Sequence, residues 1–136
     1  MQPSAILESA LYVTDLDAAE AFYADVLGLE RIAKVPSRHV FFRCGQGVLL
    51  LFVAAATREP PPPDAKLPVP PHGTVGQGHL CFAAAADEIG RWKTRLTDRG
   101  IAVEADFVWP KGGRSIYFRD PSGNSLEFAE PKIWNL

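Results

Sequence analysis

"RHVFFRCGQG" (38–47) and "RSIYFRDPSG" (114–123) lie over one another without a gap. Arg38 matches Arg114, Phe42 matches Phe118, Arg43 matches Arg119 and Gly47 matches Gly123, all at an offset of 76. Val40/Ile116 and Phe41/Tyr117 are near matches. Ten residues can agree this well by chance, so the surroundings have to agree too. They do. A strand over residues 6–13 precedes the first copy, and a helix follows from about 16 to 27. Asp15 is its expected N-cap, Gly28 its C′ residue, and Ala19, Phe22, Tyr23 and Val26 form its apolar stripe. Before the second copy come a strand over 78–84 and a helix from about 88 to 99, capped by Asp87, ended by Gly100, with Ile89, Trp92 and Leu96 as its stripe. Short strands are expected at 31–35 and 101–105. The plan of strand, helix and three strands is written twice.

The modules span 5–56 and 78–131, and residues 57–77 join them. Seven of the twelve prolines fall in this connector. Proline lacks an N–H and fixes φ, so the connector reads as stiff and extended, a spacer or a lid. His72 at its end keeps a substrate-binding role open.

Across the whole chain, 136 residues, 47% of them hydrophobic, suffice for one domain with a real core. A net charge of −2 without a basic patch argues against nucleic-acid and anionic-membrane partners. The longest apolar run, 48–56, is far short of the ~20 residues a membrane helix needs. The N-terminus lacks the pattern of a signal peptide. Cys44 and Cys81 form no redox or metal motif and read as reduced thiols. A cytoplasmic protein is the expectation.

"SGNSLEFAEP" (122–131) raises a chemical question. Side chains alternate across a strand, so Leu126 and Phe128 share one face and Glu127 points to the other. A carboxylate in so apolar a strand has to be solvated, paired or bound. Glu8 in "AILESALYV" and His79 in "GHLCF" pose the same question. Each alone has a bland answer: strand glutamates usually face water, and lone histidines are more often hydrogen-bonded residues than ligands.

"ALYVTDLDAAEAFYADVLGLE" (10–30), "GHLCFAAAADEI" (78–89) and above all "YFRDPSGNSLEF" (117–128) resemble the vicinal oxygen chelate superfamily. That group holds glyoxalase I, fosfomycin resistance proteins, bleomycin-binding proteins and extradiol dioxygenases. The resemblance implies an α+β fold of two tandem βαβββ modules forming a curled mixed-sheet cup around a metal, with helices outside. It places the metal ligands on Glu8, His79 and Glu127. The remaining position of the four-ligand glyoxalase I pattern falls, by the same offset of 76, on Leu51, which cannot ligate. One imidazole and two carboxylates suit a divalent ion such as Mn, Fe, Co, Ni or Zn, and leave positions open for substrate.

The fosfomycin resistance proteins carry a similar S-x-Y-F segment, which puts Ser115 and Tyr117 on the ligand side. Their counterparts in the first module are His39 and Phe41. His39 is a candidate base or hydrogen-bonding group, Tyr117 a candidate donor to an oxyanion, and Glu127 a carboxylate that could leave the metal to act as base. Arg43, His72 and Trp109 complete the candidate substrate residues. The implied function is a metal-dependent enzyme acting on a small oxygen-chelating substrate, of lyase, isomerase, transferase or ring-cleavage type. The alternatives are a binding protein that sequesters a drug or other small molecule in the same cup, and a remnant domain with only a structural role. Relatives suggest a homodimer.

Overall fold

The computed structural model describes residues 1–136, which divide into two compact units, Met1–Gly76 and Gln77–Leu136. In the first unit the elements are β1 (Glu8–Tyr12), α1 (Leu16–Ala21), β2 (Glu30–Val35), β3 (His39–Cys44), β4 (Gly47–Phe52) and a short α2 (Ala54–Thr57). In the second they are β5 (His79–Ala83), α3 (Ala86–Asp98), β6 (Ala105–Val108), β7 (Arg114–Arg119) and β8 (Ser125–Ala129), then a 3-10 turn at Pro131–Trp134. Each unit holds one four-stranded mixed sheet, ordered β1-β4-β3-β2 and β5-β8-β7-β6. The first strand of each module runs parallel to the last, and the other pairings are antiparallel. This is the α+β fold of two repeated βαβββ modules.

Alternation along the strands decides which side chains meet the helices. Val40, Phe42, Leu49 and Leu51 are almost wholly buried, and Phe42 packs 6.0 Å from the Tyr23 ring. Ile116, Phe118, Leu126 and Phe128 are their counterparts, with Trp92 of α3 stacked 4.4 Å from Phe128. Eight large side chains are removed from water here, each worth about 1.5–3 kcal/mol of transfer free energy.

The structure differs from the sequence reading in four local respects. Asp15 does cap α1, accepting from the Ala18 N–H at 2.9 Å, but the expected helix widens into a π-helical turn at Phe22–Val26. The wider turn brings both Phe22 and Tyr23 to the buried face. The second helix begins at Ala86, ahead of the expected Asp87 cap, because Glu88 reaches back to accept from the Ala85 N–H at 2.8 Å. The strand expected at 101–105 lies instead at Ala105–Val108. It is pinned there by Asp106, whose carboxylate takes Arg114 Nε at 2.7 Å and Lys93 at 2.6 Å.

The fourth difference is one of register. Four residues separate Arg43 from its cross-strand partner Val48, but five separate Arg119 from Ser125. The extra residue belongs to a turn in which Asp120 Oδ1 accepts from the Ser122 and Asn124 N–H groups, both at 2.9 Å. Asn124 in turn accepts from the Gly78 N–H at 2.7 Å. Past this turn the repeat runs at an offset of 77. Tyr117 stands opposite Glu127, whereas Phe41 stands opposite Leu50. The first-module counterpart of Glu127 is therefore Leu50. Leu51 faces the helices beside Val40.

Candidate functional site

In the second unit the face turned away from α3 carries His79 and Cys81 from β5, Glu127 from β8, Ser115 and Tyr117 from β7, and Phe107 from β6. Glu127 is buried, with 4% of its surface exposed. Its Oε2 lies 3.4 Å from His79 Nε2, while Oε1 is shut away from solvent with no hydrogen-bond partner. Cys81 and Tyr117 are its neighbours on either side in the ladder. Burial and the Glu127 carboxylate push the Tyr117 hydroxyl up to about 12, and desolvation at the Cys81 sulfur, again with Glu127, pushes that thiol up to about 12. Both groups stay protonated through the neutral range. His79 is half exposed, with Nδ1 3.1 Å from the Ser125 carbonyl oxygen. That contact fixes its ring so that Nε2 turns toward Glu127.

Aromatic rings surround this group. Tyr117 lies between His79, at 6.2 Å, and Phe107, at 5.9 Å, with the three planes nearly parallel. Trp109 meets Phe107 edge-on at 5.0 Å, and its indole N–H donates to the buried Ser115 hydroxyl at 2.8 Å. Ser115 and Trp109 are thus brought together and committed to each other.

The corresponding face of the first unit begins with Glu8, exposed at the start of β1 and in register with Val48, as His79 is with Ser125. Beyond it the face is made of rings. His39 stacks on Phe41 at 4.2 Å and 9°, and Phe52 meets both edge-on, at 5.9 and 5.4 Å. His72, from the end of the connector, sits 4.6 Å from Phe52, and its Nδ1 lies 2.7 Å from the Tyr12 hydroxyl. The His72 N–H also donates to the carbonyl of Thr57 at 2.9 Å, which ties the connector's end to α2. Burial, and secondarily the Arg38 charge, hold the His39 imidazole below its ordinary value. Arg43 stands exposed, 3.5 Å from Glu30.

Of the three expected metal ligands, His79 and Glu127 are brought together and Glu8 belongs to the other unit. No group of three or more His, Cys, Asp or Glu side chains is gathered closely enough to hold a metal ion. Tyr12, Phe52, Cys81 and Phe107 escaped the sequence reading. The period of two along β1 and β5 puts Tyr12 on the face of Glu8 and Cys81 on that of His79, whereas Phe52 lies across the strand from Leu51, the β4 position the sequence reading chose, and Phe107 lies beyond the strand expected at 101–105.

Comparisons with known proteins bear on this arrangement. A family model described as the Glyoxalase/Bleomycin resistance protein/Dioxygenase superfamily matches residues 5–128. A crystal structure of lactoylglutathione lyase from Agrobacterium tumefaciens is 51% identical over the whole of both chains, with a TM-score of 0.93. A glyoxalase/bleomycin resistance protein/dioxygenase from Nocardioides is 25% identical, covering 96% of this chain and 85% of that one, with a TM-score of 0.72. An integron cassette protein from the mobile metagenome of a Halifax Harbour sewage outfall shares the fold at 24% identity, covering 94% of this chain and 99% of that one, TM-score 0.73. No curated protein matches. No helix is long and apolar enough to cross a membrane. The doubled module, the register of its ladders and the matched span together make the chain a member of the Glyoxalase/Bleomycin resistance protein/Dioxygenase superfamily.

Proposed function

We propose that the protein is a divalent-metal-dependent enzyme acting on a small substrate with two neighbouring oxygens. His79 and Glu127 would hold the ion, and the family resemblance adds Glu8, at the register position of the first module equivalent to His79, as a third ligand. One observation carries the reading: Glu127 is buried beside His79 with Oε1 unpaired. An unsatisfied buried polar atom costs about 1–3 kcal/mol, and a cation at that oxygen relieves the cost. The donor chemistry fits, since an imidazole and carboxylates suit Mn, Fe, Co, Ni or Zn. The ion would supply Lewis acidity toward the substrate oxygens.

The chain's own side chains do the rest. Tyr117 keeps its proton at neutral pH and donates a hydrogen bond to a substrate oxygen as negative charge develops there. Glu127 would be the group placed to take a proton from the carbon next to that oxygen. His39, Phe41 and His72 form an aromatic wall on the first unit, and Trp109, held by Ser115, one on the second. Arg43 at the strand end attracts an anionic group. The name of the Agrobacterium relative supports a lyase. Leu50, at the counterpart of Glu127, keeps the ligand set at three and distinguishes it from the four-ligand pattern of glyoxalase I. A second copy of the chain is the expected partner.

Metal analysis tests this. The chain, expressed without a metal-binding tag, should take up about one divalent ion and melt at a higher temperature when loaded. Glu127→Ala and His79→Ala should stay folded and lose most of the ion. Wild-type protein that cannot be loaded and gains no thermal stability overturns the proposal and favours sequestration of a small molecule on the aromatic faces.

A further inference from the structure

The aromatic face of the first unit contains one ring whose polar atoms are unaccounted for. His39 lies flat against Phe41, with Phe52 edge-on to it. Its Nδ1 is buried without a hydrogen-bond partner. The residue as a whole is half-buried, so the opposite edge of the ring, carrying Nε2, is the edge left toward solvent. A buried N–H without an acceptor is rarer in proteins, and more costly, than an acceptor without a donor. The tautomer that avoids it leaves Nδ1 bare and puts the single proton on Nε2. Protonating the ring would create the same orphaned N–H at Nδ1, with the Arg38 charge beside it, in keeping with the depressed basicity of this imidazole.

We infer that His39 is a neutral hydrogen-bond donor, through Nε2–H, to a carbonyl or oxyanion oxygen of a flat, conjugated substrate lying along the wall formed by Phe41, Phe52 and His72. The substrate class follows from the wall. Rings stacked and tilted at 4–6 Å offer broad π surface on which a planar group gains more contact than a puckered one of equal size. The donor selects an oxygen acceptor in that plane. A neutral imidazole donates to developing negative charge without surrendering its proton, which makes His39 a poor general base and a good electrophile. His72, fixed by Tyr12, closes the end of the wall. The inference deepens the proposed function and rests on it for the identity of the substrate oxygens.

Long-range ¹H–¹⁵N correlation spectra of the full chain test the tautomer directly, with His39→Phe giving the assignment. The Nε2–H form at pH 7 is expected; an Nδ1–H form or a charged ring overturns the inference. Benzoate and cyclohexanecarboxylate are the probes, titrated with and without divalent ion. Benzoate should bind about fivefold more tightly or better and should shift the His39 Nε2 resonance. His39→Phe, which keeps a flat ring on Phe41 but lacks the donor, should weaken both probes while keeping the preference for benzoate, with metal uptake unchanged, and His39→Gln, which keeps an N–H, should recover part of the lost affinity. Equal affinity for the two probes, or benzoate binding that leaves His39 unshifted, overturns it. Failure of metal loading alone, with the tautomer and probe results intact, sinks the proposed function and leaves the donor assignment standing.

Discussion

Replacing Glu127 by methionine should stabilise the metal-free protein and abolish its response to metal. Glu127 is 4% exposed and its Oε1 has no partner, so removing that atom recovers about 1–3 kcal/mol of desolvation penalty. Methionine fills similar volume and adapts to irregular space, so repacking costs less than about 1.5 kcal/mol. Against the gain stands the loss of the 3.4 Å contact of Oε2 with half-exposed His79, worth about 0–1 kcal/mol. The balance is about +1 kcal/mol, a rise of about 3–5 °C in melting temperature for a chain of this length. Saturating divalent ion reverses the order, since at a hundredfold excess over its dissociation constant it adds about 2.7 kcal/mol to wild type and nothing to the variant. Differential scanning fluorimetry with and without ion reads both curves. A variant that melts several degrees below wild type without metal would refute the reasoning, because Glu127 would then be satisfied in the apo protein.

The register correction separates two adjacent leucines. Leu51 lies opposite Val40 and Leu11 in the helix-facing core, so Leu51→Glu should leave the first unit unfolded, as monitored by circular dichroism. Leu50 is also buried, but it faces away from the helices, opposite half-buried Phe41 and exposed Ala10, so Leu50→Glu should destabilise far less than Leu51→Glu; the reverse order would restore the offset of 76. Asp106 is held below the usual carboxylate range by Arg114 first and then Lys93. Asp106→Asn should therefore cost about 1 kcal/mol at pH 7, discounted for solvent screening. A depressed folded pKa contributes stability above the unfolded value near 3.9, lost as pH falls toward the folded one, so chemical denaturation curves of the two proteins should converge in acid and stay apart at neutral pH. Gly112 and Gly113 both have left-handed φ, at 92° and 94°, but a Cβ on Gly113 would clash with Ile133 Cγ2 while one on Gly112 meets nothing within 4 Å. Alanine should thus cost about 1 kcal/mol at Gly112 and a further 1–3 kcal/mol at Gly113, read from urea midpoints.

Much of the fold was legible because the two copies check each other. Phe42 and Phe118, or Arg43 and Arg119, recur at one spacing, and a chance match does not bring a helix stripe and a cap along with it. The strand misplaced to 101–105 shows the limit. Apolar periodicity over four or five residues is weak, and what fixes β6 at Ala105–Val108 is an ion pair between Asp106 and residues eight and thirteen positions away. The same holds for the Leu51 assignment. An ungapped match of "RHVFFRCGQG" to "RSIYFRDPSG" says nothing about how many residues the turn consumes before the next strand begins.

Sequence alone determined the doubled module and the alternation along β3, β7 and β8, since alternation and helical spacing are local properties of the chain, and the family resemblance added the candidates His79, Glu127 and Glu8. Tertiary structure decided what those faces hold. Only the ladder of β7 with β8 sets Tyr117 against Glu127 and leaves Leu50 as the first-module counterpart. Only packing leaves Oε1 of Glu127 and Nδ1 of His39 buried and unpaired, and carries His72 from the connector onto Tyr12 and Phe52. Register depends on turn length, and hydrogen-bond satisfaction depends on every neighbour at once; neither is a property of any short stretch of sequence.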